Sequence, residues 1–217
     1  MFKKIISYFF PITKKIKSVH NGYLELTVVN GRTVLDTSNT NYSYGSLQRV
    51  LKFSLEHTDV SHAENVLLLG LGGGCVLKTL WNEFNYKGNV TAVDIDPVII
   101  TVAEKEFGIL PDGKTRIVCA DAQDFVKDDI DKFDLIIIDL FIDNIVPEKF
   151  LQQEFWKDVL KKVNNNGTII FNTLCTPFTD IQPIEAKLKR RGFQSHVYRY
   201  VERTNKVLIA NYHLEGC

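Results

Sequence analysis

The sequence predicts an α/β fold. A doubly wound, mostly parallel sheet of seven strands ends in an antiparallel carboxyl-terminal edge pair, and a small amino-terminal β-hairpin accompanies it. From Asn65 onwards, short apolar runs alternate with stretches of helical periodicity, which is typical of a parallel sheet covered on both faces. A cluster of glycines follows the first of these runs. The chain has 217 residues, 45% of them hydrophobic, and can therefore bury one full-sized core.

The chain divides into an amino-terminal segment, residues 1–58, with an arm, the hairpin and a helix, and a main domain, residues 59–217. The arm mixes apolar side chains with lysines, and its apolar run, residues 5–10, is too short to span a bilayer or to form a signal core. No other stretch approaches the length of a membrane span. The arm could lie on a lipid surface, but packing or a subunit contact is the favoured interpretation.

The hairpin is predicted from alternation and turn chemistry. Tyr23–Val29 alternates along its length, Asn30-Gly31 is a strong two-residue turn signal, and Arg32–Asp36 returns as the second strand. Residues 45–57 follow with apolar side chains at helical spacing, which predicts a helix.

The main domain alternates strands with helices. Parallel strands are predicted at residues 65–70, 89–94, 115–119, 133–139 and 167–172. Helices are predicted at residues 74–85, 97–107, 121–128, 148–163 and 180–191. Two last strands, at 194–201 and 206–212, are joined through residues 203–205 and close the edge of the sheet as an antiparallel pair.

The glycine cluster belongs to a motif that ends at Asp94, VLLLGLGGGCVLKTLWNEFNYKGNVTAVD. A buried strand, a glycine-rich turn, a helix and a strand ending in a carboxylate follow the order of the adenosine-binding half of a Rossmann-like sheet. Glycines let the backbone approach a ligand, and Asp94 could accept both hydroxyls of a ribose. Alternatively, the glycines form only a tight turn and Asp94 caps the helix that begins at Asp96-Pro97. The candidate glycines are Gly70, Gly72, Gly73 and Gly74.

Two further carboxylates follow predicted strands. Asp121, with Ala122 beside it, comes after the third strand of the main domain, and Asp139 comes after the strand FDLIII. Residues past the carboxyl ends of parallel strands face one crevice. These carboxylates should therefore converge with Gly70 and Asp94 on a single site.

Four stretches together carry a family resemblance: LLLGLGGGCVL, VTAVDID, CADAQDF and DLIIIDLF. They resemble the spermidine synthase-like branch of the class I S-adenosylmethionine-dependent methyltransferase superfamily. Upstream, GYLELTVVNGRTVLDTSNTNYSYGSLQRVL is similar to that branch's amino-terminal hairpin and tyrosine-bearing segment. The resemblance implies S-adenosylmethionine, or its decarboxylated form, as the cofactor, and it makes a homodimer plausible.

The resemblance also implies roles for individual residues. The glycines of residues 70–74 would face the amino-acid part of the cofactor, Asp94 the ribose, and Asp121 with Ala122 the adenine. Ile95 and Asp139 complete the implied cofactor-binding set.

Two departures from the family pattern bear on the reaction. Aminopropyltransferases that resemble this chain carry an aspartate at the place of Gly73, where it holds the cofactor's amine. They also carry two aspartates separated by two serines, whereas here three apolar residues separate Asp139 from Asp143. A polyamine is a multiple cation and needs several carboxylates, because burying unpaired ammonium groups is costly. The pattern therefore favours methyl transfer to an unknown small acceptor.

Three alternatives stay open. An aminopropyltransferase would use the decarboxylated cofactor and make polyamines. A catalytically silent module would bind the nucleoside without turnover. An NAD oxidoreductase is not excluded by the glycines, since Cys75 occupies the third position of the dinucleotide fingerprint, although the chain has no room for a separate substrate domain.

Asp139 is the best-placed general base for an in-line displacement, and a structural role as a cap of the following loop is the alternative. Tyr44 and Asp143 are the candidate acceptor-binding residues. Tyr44 belongs to the segment that resembles the family's acceptor lid, and Asp143 could add acidity around the acceptor.

Composition excludes several other functions. The 26 basic and 26 acidic residues give a formal net charge of +0, so no global field attracts nucleic acid, and none is expected as a partner. The cysteines, at positions 75, 119, 175 and 217, form no CxxC pair, which fits a reducing cytoplasm. Cys75 and Cys119 are expected to be buried thiols. The five histidines form no i, i+4 pair, so no metal site is predicted.

Overall fold

A small antiparallel sheet of three strands precedes the main domain in the computed structural model, which describes residues 5–37, 46–142, 145–176 and 179–212. Its strands are β1 (Ile12–Lys17), β2 (Tyr23–Val29) and β3 (Arg32–Thr37). The turn between β2 and β3 uses Asn30 at φ +50° and Gly31 at φ +74°, the left-handed conformations that a two-residue hairpin turn requires. The predicted hairpin is present.

Strand β1 is an addition to that hairpin. Within the arm the sequence carries no strand signal, because exposed lysines occupy half of the six positions of β1 and only Ile12 and Ile16 are partly buried. Pairing with β2 along the whole of its length, from Ile12 opposite Val28 to Lys17 opposite Tyr23, supplies the backbone hydrogen bonds that hold this segment extended. A contact between distant segments therefore decides its structure.

The predicted fold class is confirmed by a seven-stranded, mostly parallel sheet. Its strands are β4 (Asn65–Leu69), β5 (Asn89–Asp94), β6 (Thr115–Cys119), β7 (Phe133–Ile138), β8 (Val163–Leu174), β9 (Phe193–Val201) and β10 (Asn205–Tyr212). They lie in the order β6-β5-β4-β7-β8-β10-β9, and β10 pairs antiparallel with both β8 and β9. The chain order reverses between β4 and β7, which is where α/β sheets open a ligand crevice.

Six helices flank the two sheets in the described part of the chain. They are α1 (Ser46–Glu56), α2 (Cys75–Asn82), α3 (Pro97–Phe107), α4 (Ala122–Asp128), α5 (Gln153–Lys162) and α6 (Gln182–Arg190). The single helix predicted over 148–163 is wrong in detail. A 3-10 turn covers Glu148–Leu151, and Gln152, in an extended conformation, separates it from α5.

Strand β8 is also longer than the predicted 167–172. It begins at Val163, which pairs with Phe133, and runs to Leu174. The polar run at 164–167 hides this start, because three asparagines and a glycine indicate a turn when taken alone. In the structure Asn164 donates a hydrogen bond from Nδ2 to Asp134 Oδ1 at 2.7 Å, which ties the run to the start of β7.

Two hydrophobic clusters cover the two faces of the main sheet. Leu68 of β4 belongs to the cluster that includes residues of α1, α2, α3 and the small sheet, whereas Leu67 and Leu69 belong to the cluster with α4, α5 and α6. This alternation follows from the period of two along a strand. Burying each such leucine contributes about 1.5–3 kcal/mol to folding. Both faces of the sheet are thus closed, and its carboxyl edge is the open side.

The prediction that Cys119 is buried is wrong. This residue is exposed, because it is the last residue of β6 and β6 is an edge strand. Cys75, at the start of α2, is buried as expected. Within the described ranges, no helix combines the length and apolar character that crossing a membrane requires.

Candidate functional site

An open pocket lies at the carboxyl ends of the parallel strands, with an empty volume of about 1250 Å³ including its mouth. This position, at the carboxyl ends of the strands, is where open α/β sheets bind their ligands. Seven of the nine predicted cofactor residues line it: Gly70, Gly72, Asp94, Ile95, Asp121, Ala122 and Asp139. The fold therefore brings together residues from four strand ends, as the strand-end argument predicts.

The glycine turn forms the floor of this pocket. Gly70 adopts φ +97°, and its amide donates to the carbonyl oxygen of Val93 at 2.9 Å. A Cβ atom placed on Gly70 would lie 2.2 Å from the carbonyl oxygen of Asp139, so only glycine fits between β4 and β7 at this point. Gly70 also lines the pocket.

Gly73 and Gly74 lie behind the turn and do not line the pocket. Both are buried, and Gly74 at φ +73° precedes α2. A Cβ atom on Gly74 would lie 2.4 Å from Cγ1 of Ile109. These two glycines let the turn pack closely against the core, and a direct contact with a cofactor stays a prediction for them.

Asp94 closes the turn from the end of β5. Its Oδ2 accepts hydrogen bonds from the amides of Leu71 at 3.1 Å and Gly72 at 3.2 Å, and its Oδ1 accepts from the amide of Asp96 at 3.0 Å. Burial raises the pKa of Asp94 to about 6, although these three backbone donors act in the opposite direction. Asp94 therefore shapes the turn in addition to facing the pocket.

The helix cap considered for Asp94 belongs to Asp96 instead. Asp96 Oδ1 accepts from the amide of Val98 at 2.9 Å at the start of α3. Its other oxygen accepts from the Ser18 hydroxyl and, at 3.3 Å, from Nδ2 of Asn21. Burial works to raise the pKa of Asp96, but these donors prevail and hold it below its usual value.

The hydrogen bonds to Asp96 hold the turn between β1 and β2 beside the pocket, which the sequence did not predict. His20 and Asn21, in the turn between β1 and β2, line the pocket beside Asp94 and Ile95. Their backbone amides donate to Ser18 Oγ at 3.2 Å and 2.8 Å. No local motif marks these residues, and only the contact across 75 or more positions places them.

Asp121 and Lys149, which both line the pocket, form an ion pair. Asp121 Oδ1 caps α4 by accepting from the amide of Gln123 at 2.8 Å, while Oδ2 pairs with Nζ of Lys149. The Lys149 ammonium also lies 4.8 Å from the centre of the Phe150 ring. Lys149 was not predicted as a site residue, since a lone lysine within a predicted helix carries no motif.

Asp139 lies where β7 ends, next to the glycine turn. Its amide donates to the carbonyl oxygen of Leu69 at 2.9 Å, and its Oδ1 accepts from Nδ2 of Asn172 at 2.9 Å. Burial raises the pKa of Asp139 to about 6, against the hydrogen bond from Asn172. A carboxylate that titrates near neutral pH suits a general base.

Cys75 also lines the pocket but is not a reactive thiol. Burial, and secondarily the charge of Asp139, raises its pKa to about 12. The predicted acceptor residues, Tyr44 and Asp143, lie outside the described residues. Among the described residues, Leu174, Thr204 and Asn205, which lie at or beside the ends of β8 and β10, line the same pocket as Asp139.

The sequence profile of the spermine/spermidine synthase domain matches residues 49–214. A polyamine aminopropyltransferase of Vibrio vulnificus is 32% identical over 116 residues, which are 52% of this chain and 38% of that protein. An eEF1A lysine and N-terminal methyltransferase homolog of Drosophila melanogaster is 28% identical over 142 residues, 61% of this chain and 21% of that protein. The chain thus spans about half the length of the curated relatives it matches, or less.

Among solved structures, human methyltransferase-like protein 13 in complex with SAH is similar, with a TM-score of 0.65 and 23% sequence identity. The match covers 79% of this chain and 84% of that one. This likeness shows the shared fold.

Proposed function

The chain belongs to the spermine/spermidine synthase domain family, and on that premise we propose that it is an S-adenosylmethionine-dependent methyltransferase acting on a small acceptor. Its cofactor would lie over Gly70 and Gly72, which both line the pocket, and at Gly70 the backbone leaves no room for a Cβ atom. Asp94 would receive the ribose and Asp121 the adenine. The pocket residues fit such a group, because a glycine floor and two carboxylates suit a nucleoside.

The hydrogen-bond and ion-pair partners of the pocket carboxylates indicate which kind of acceptor the site suits. Three carboxylates line the described part of the pocket, those of Asp94, Asp121 and Asp139. Backbone amides engage Asp94, and Lys149 engages Asp121, whereas Asp139 accepts from one neutral amide. Among the described residues, a polyamine would bring several ammonium groups to a single available carboxylate, which is unfavourable. An acceptor with one nucleophile matches this site better.

The reaction is an in-line displacement in which Asp139 acts as the general base. When bound, the cofactor supplies a methyl group on a positively charged sulfur. Held over Gly70 and Gly72, the cofactor would supply this methyl group to the acceptor's nitrogen or oxygen and would leave as a neutral thioether. Asp139 takes the proton that the nucleophile loses. Because its pKa is near 6, the carboxylate is ionised and ready at neutral pH.

Aminopropyl transfer is the second candidate, and the similarity to a polyamine aminopropyltransferase favours it. It would need the decarboxylated cofactor and a polyamine acceptor. Asp143 could add a second carboxylate to the acceptor side, but Gly73 offers no acid for the cofactor's amine.

A thermal-shift panel separates these candidates. S-adenosylmethionine should raise the melting temperature more than decarboxylated S-adenosylmethionine, methylthioadenosine or NAD, because binding to the native state stabilises it. Release of S-adenosylhomocysteine with small amine or hydroxyl acceptors would follow. A larger shift with the decarboxylated cofactor and turnover with putrescine would replace the proposal with aminopropyl transfer. Binding without turnover on any acceptor would indicate the silent module.

The variant Asp94→Ala tests the ribose contact. Loss of two charge-assisted hydrogen bonds, each worth about 1.5–3 kcal/mol, should weaken adenosyl-ligand binding at least about 100-fold. The variant also leaves the amides of Leu71 and Gly72 without their acceptor, so stability should fall as well.

Asp134→Ala is the matched control for that loss of stability. Asp134 Oδ2 likewise accepts from two backbone amides, those of Glu64 and Asn65, both at 2.9 Å, but at the opposite end of the sheet. The control should lower stability and leave ligand affinity unchanged. Equal ligand binding by Asp94→Ala and the wild type would refute the ribose assignment.

A further inference from the structure

We propose that Asn172 and Asn205 are positioning residues, which orient the Asp139 carboxylate for proton transfer through a directed chain of hydrogen bonds from the turn between β9 and β10. The inference rests on the proposed function, in which Asp139 is the general base. In this role neither asparagine contacts the reacting atoms, and Asn205 acts only through Asn172.

The hydrogen bonds run in one direction across the three strands. Thr204 Oγ1 donates to Asn205 Oδ1 at 3.0 Å, Asn205 Nδ2 donates to Asn172 Oδ1 at 2.9 Å, and Asn172 Nδ2 donates to Asp139 Oδ1 at 2.9 Å. An asparagine amide accepts on its oxygen and donates on its nitrogen. The donor from Asn205 therefore fixes which end of the Asn172 amide faces the carboxylate.

Burial strengthens the hydrogen bonds that link Asn205, Asn172 and Asp139. Asn172 is fully buried, and Asn205 is 7% exposed. Water cannot readily replace a lost partner there, and hydrogen bonds in such surroundings are strong. With Oδ1 of Asp139 held by Asn172, the second oxygen is the one available to the acceptor's proton.

The turn that delivers Asn205 has an unusual backbone. Tyr200, Glu202 and Arg203 are non-glycine residues with positive φ, at +59°, +46° and +75°. Such conformations are unfavourable for these residue types and persist only where surrounding contacts hold them, often at functional sites. The strand register between β9 and β10 shifts between Asn205 and Lys206. The distortion lies immediately before and at the residue that enters the pocket.

Contacts from two other parts of the molecule hold this turn in place. The amide of Cys175 donates to the carbonyl oxygen of Thr204 at 2.7 Å. Arg49 Nε donates to Glu202 Oε2 at 2.7 Å, which ties the turn to α1. The turn is thus anchored from both β8 and α1, as a device that sets the position of Asn205 requires.

The expected consequence is a change in the pKa of Asp139. Its titratable neighbours are Cys75 on α2, whose buried thiol stays neutral, and, around the same pocket, Asp94, Asp121, Lys149 and His20. Replacing Asn205 neither adds nor removes any of these titratable groups. Removing Asn205 leaves Asn172 free to turn its oxygen towards the carboxylate, which disfavours the ionised form. The pKa of Asp139 should therefore rise above about 6.

The test is a carbon NMR titration of the unliganded protein with labelled aspartate carboxyl groups, in which Asp139→Asn assigns the signal. Asn205→Ala should raise the pKa of Asp139 by roughly one unit, a tenfold change in its ionisation equilibrium. Asn172→Ala should raise it at least as much. The double variant should equal Asn172→Ala alone, because Asn205 acts through Asn172.

Thr173→Val is the matched control. The Thr173 hydroxyl donates to the carbonyl oxygen of Lys206 at 3.0 Å, so the variant also removes one buried side-chain bond between β8 and β10, outside the chain to Asp139. It should leave the pKa of Asp139 unchanged. An equal shift in the control, no shift in Asn205→Ala, or additive shifts in the double variant would each overturn the proposal.

Activity provides a second readout. Asn205→Ala should move the acidic limb of the kcat profile to higher pH by the same unit, and should leave the thermal shift by S-adenosylmethionine unchanged. If the protein neither binds that cofactor nor transfers a methyl group, the proposed function fails while the titration still tests the chain of hydrogen bonds. A shifted titration with an unshifted kcat profile would show that the chain does not serve catalysis.

Discussion

The proposed cofactor side of the pocket, at Asp94, and the proposed acceptor side, at Asp139, are built in opposite ways. On the cofactor side, Asp94 accepts from backbone amides 22 and 23 positions away, within one strand-turn-helix-strand unit. On the acceptor side, Asp139 depends on Asn172, and Asn172 depends on Asn205, with 33 positions between successive members. The first arrangement is a backbone device that any chain with the motif can form, whereas the second exists only because β7, β8 and β10 are neighbours in the sheet.

The difference concerns the freedom of the carboxylates as well as their origin. Main-chain donors that cannot rotate hold Asp94, and a side-chain amide that can rotate holds Asp139. A carboxylate that must bind a ligand in one way benefits from fixed donors. One that must gain and lose a proton needs an open oxygen and a pKa near the working pH.

Gly70→Ala should disrupt both the proposed cofactor side and the backbone at Asp139, and it should have the largest effect of these variants. The new Cβ atom would lie 2.2 Å from the carbonyl oxygen of Asp139, at a backbone φ of +97° that alanine disfavours. We expect a loss of about 3–5 kcal/mol of unfolding free energy and no detectable cofactor binding, measured by denaturant unfolding and calorimetry.

Gly113→Ala is the control for the glycine substitution. A Cβ atom on Gly113 would meet nothing within 4 Å. Its stability should stay within about 0.5 kcal/mol of the wild type. A mild effect of Gly70→Ala, comparable to this control, would mean that β4 and β7 can separate at the turn.

Asp139→Asn should separate the two sides. The isosteric amide cannot accept a proton, so methyl transfer should fall at least about 100-fold. Cofactor affinity should change little, since Asp94 and Asp121 are untouched. Initial rates and calorimetry on the same preparation measure both effects. Equal losses of rate and affinity would place Asp139 on the cofactor side instead.

The same variant should stabilise the protein, with a defined pH dependence. The folded-state pKa of Asp139, about 6, lies above its ordinary value of 3.8, so the ionised group costs stability at high pH. That cost is complete above about pH 6 and disappears as the pH falls towards 4. Asp139→Asn should therefore gain up to about 3 kcal/mol at pH 8 and almost nothing at pH 4. Melting curves at these two pH values check the sign.

Lys149→Met should have the smallest effect, and that effect should be confined to the proposed cofactor side. The pair with Asp121 is partly exposed, so stability should change by less than about 1 kcal/mol. The carboxylate of Asp121 becomes free for the adenine, and adenosyl-ligand affinity should rise a few-fold by calorimetry. A loss of affinity would show that the lysine itself contacts the ligand.

Much of the cofactor side was predictable from the sequence because its signals are local. The order of strand, glycine turn, helix and strand places Gly70 and Asp94 together without knowledge of the rest of the chain. The same holds for the turn at Asn30 and Gly31, where residue types dictate the backbone conformation. The double role of Asp94 was not visible, since a carboxylate at a strand end gives no sign of which amides it will accept from.

The sequence by itself determined the α/β fold and the glycine turn, because burial periodicity and the steric limits of glycine are properties of short segments, and its motifs carried the resemblance to the family. Only the tertiary structure decided that β1 joins the hairpin, that Cys119 is exposed at a sheet edge, and that Asn205 reaches Asp139 through Asn172. The physical reason is that the order of strands in a sheet brings distant residues together. The polar side chains that meet there carry no periodic signal along the chain.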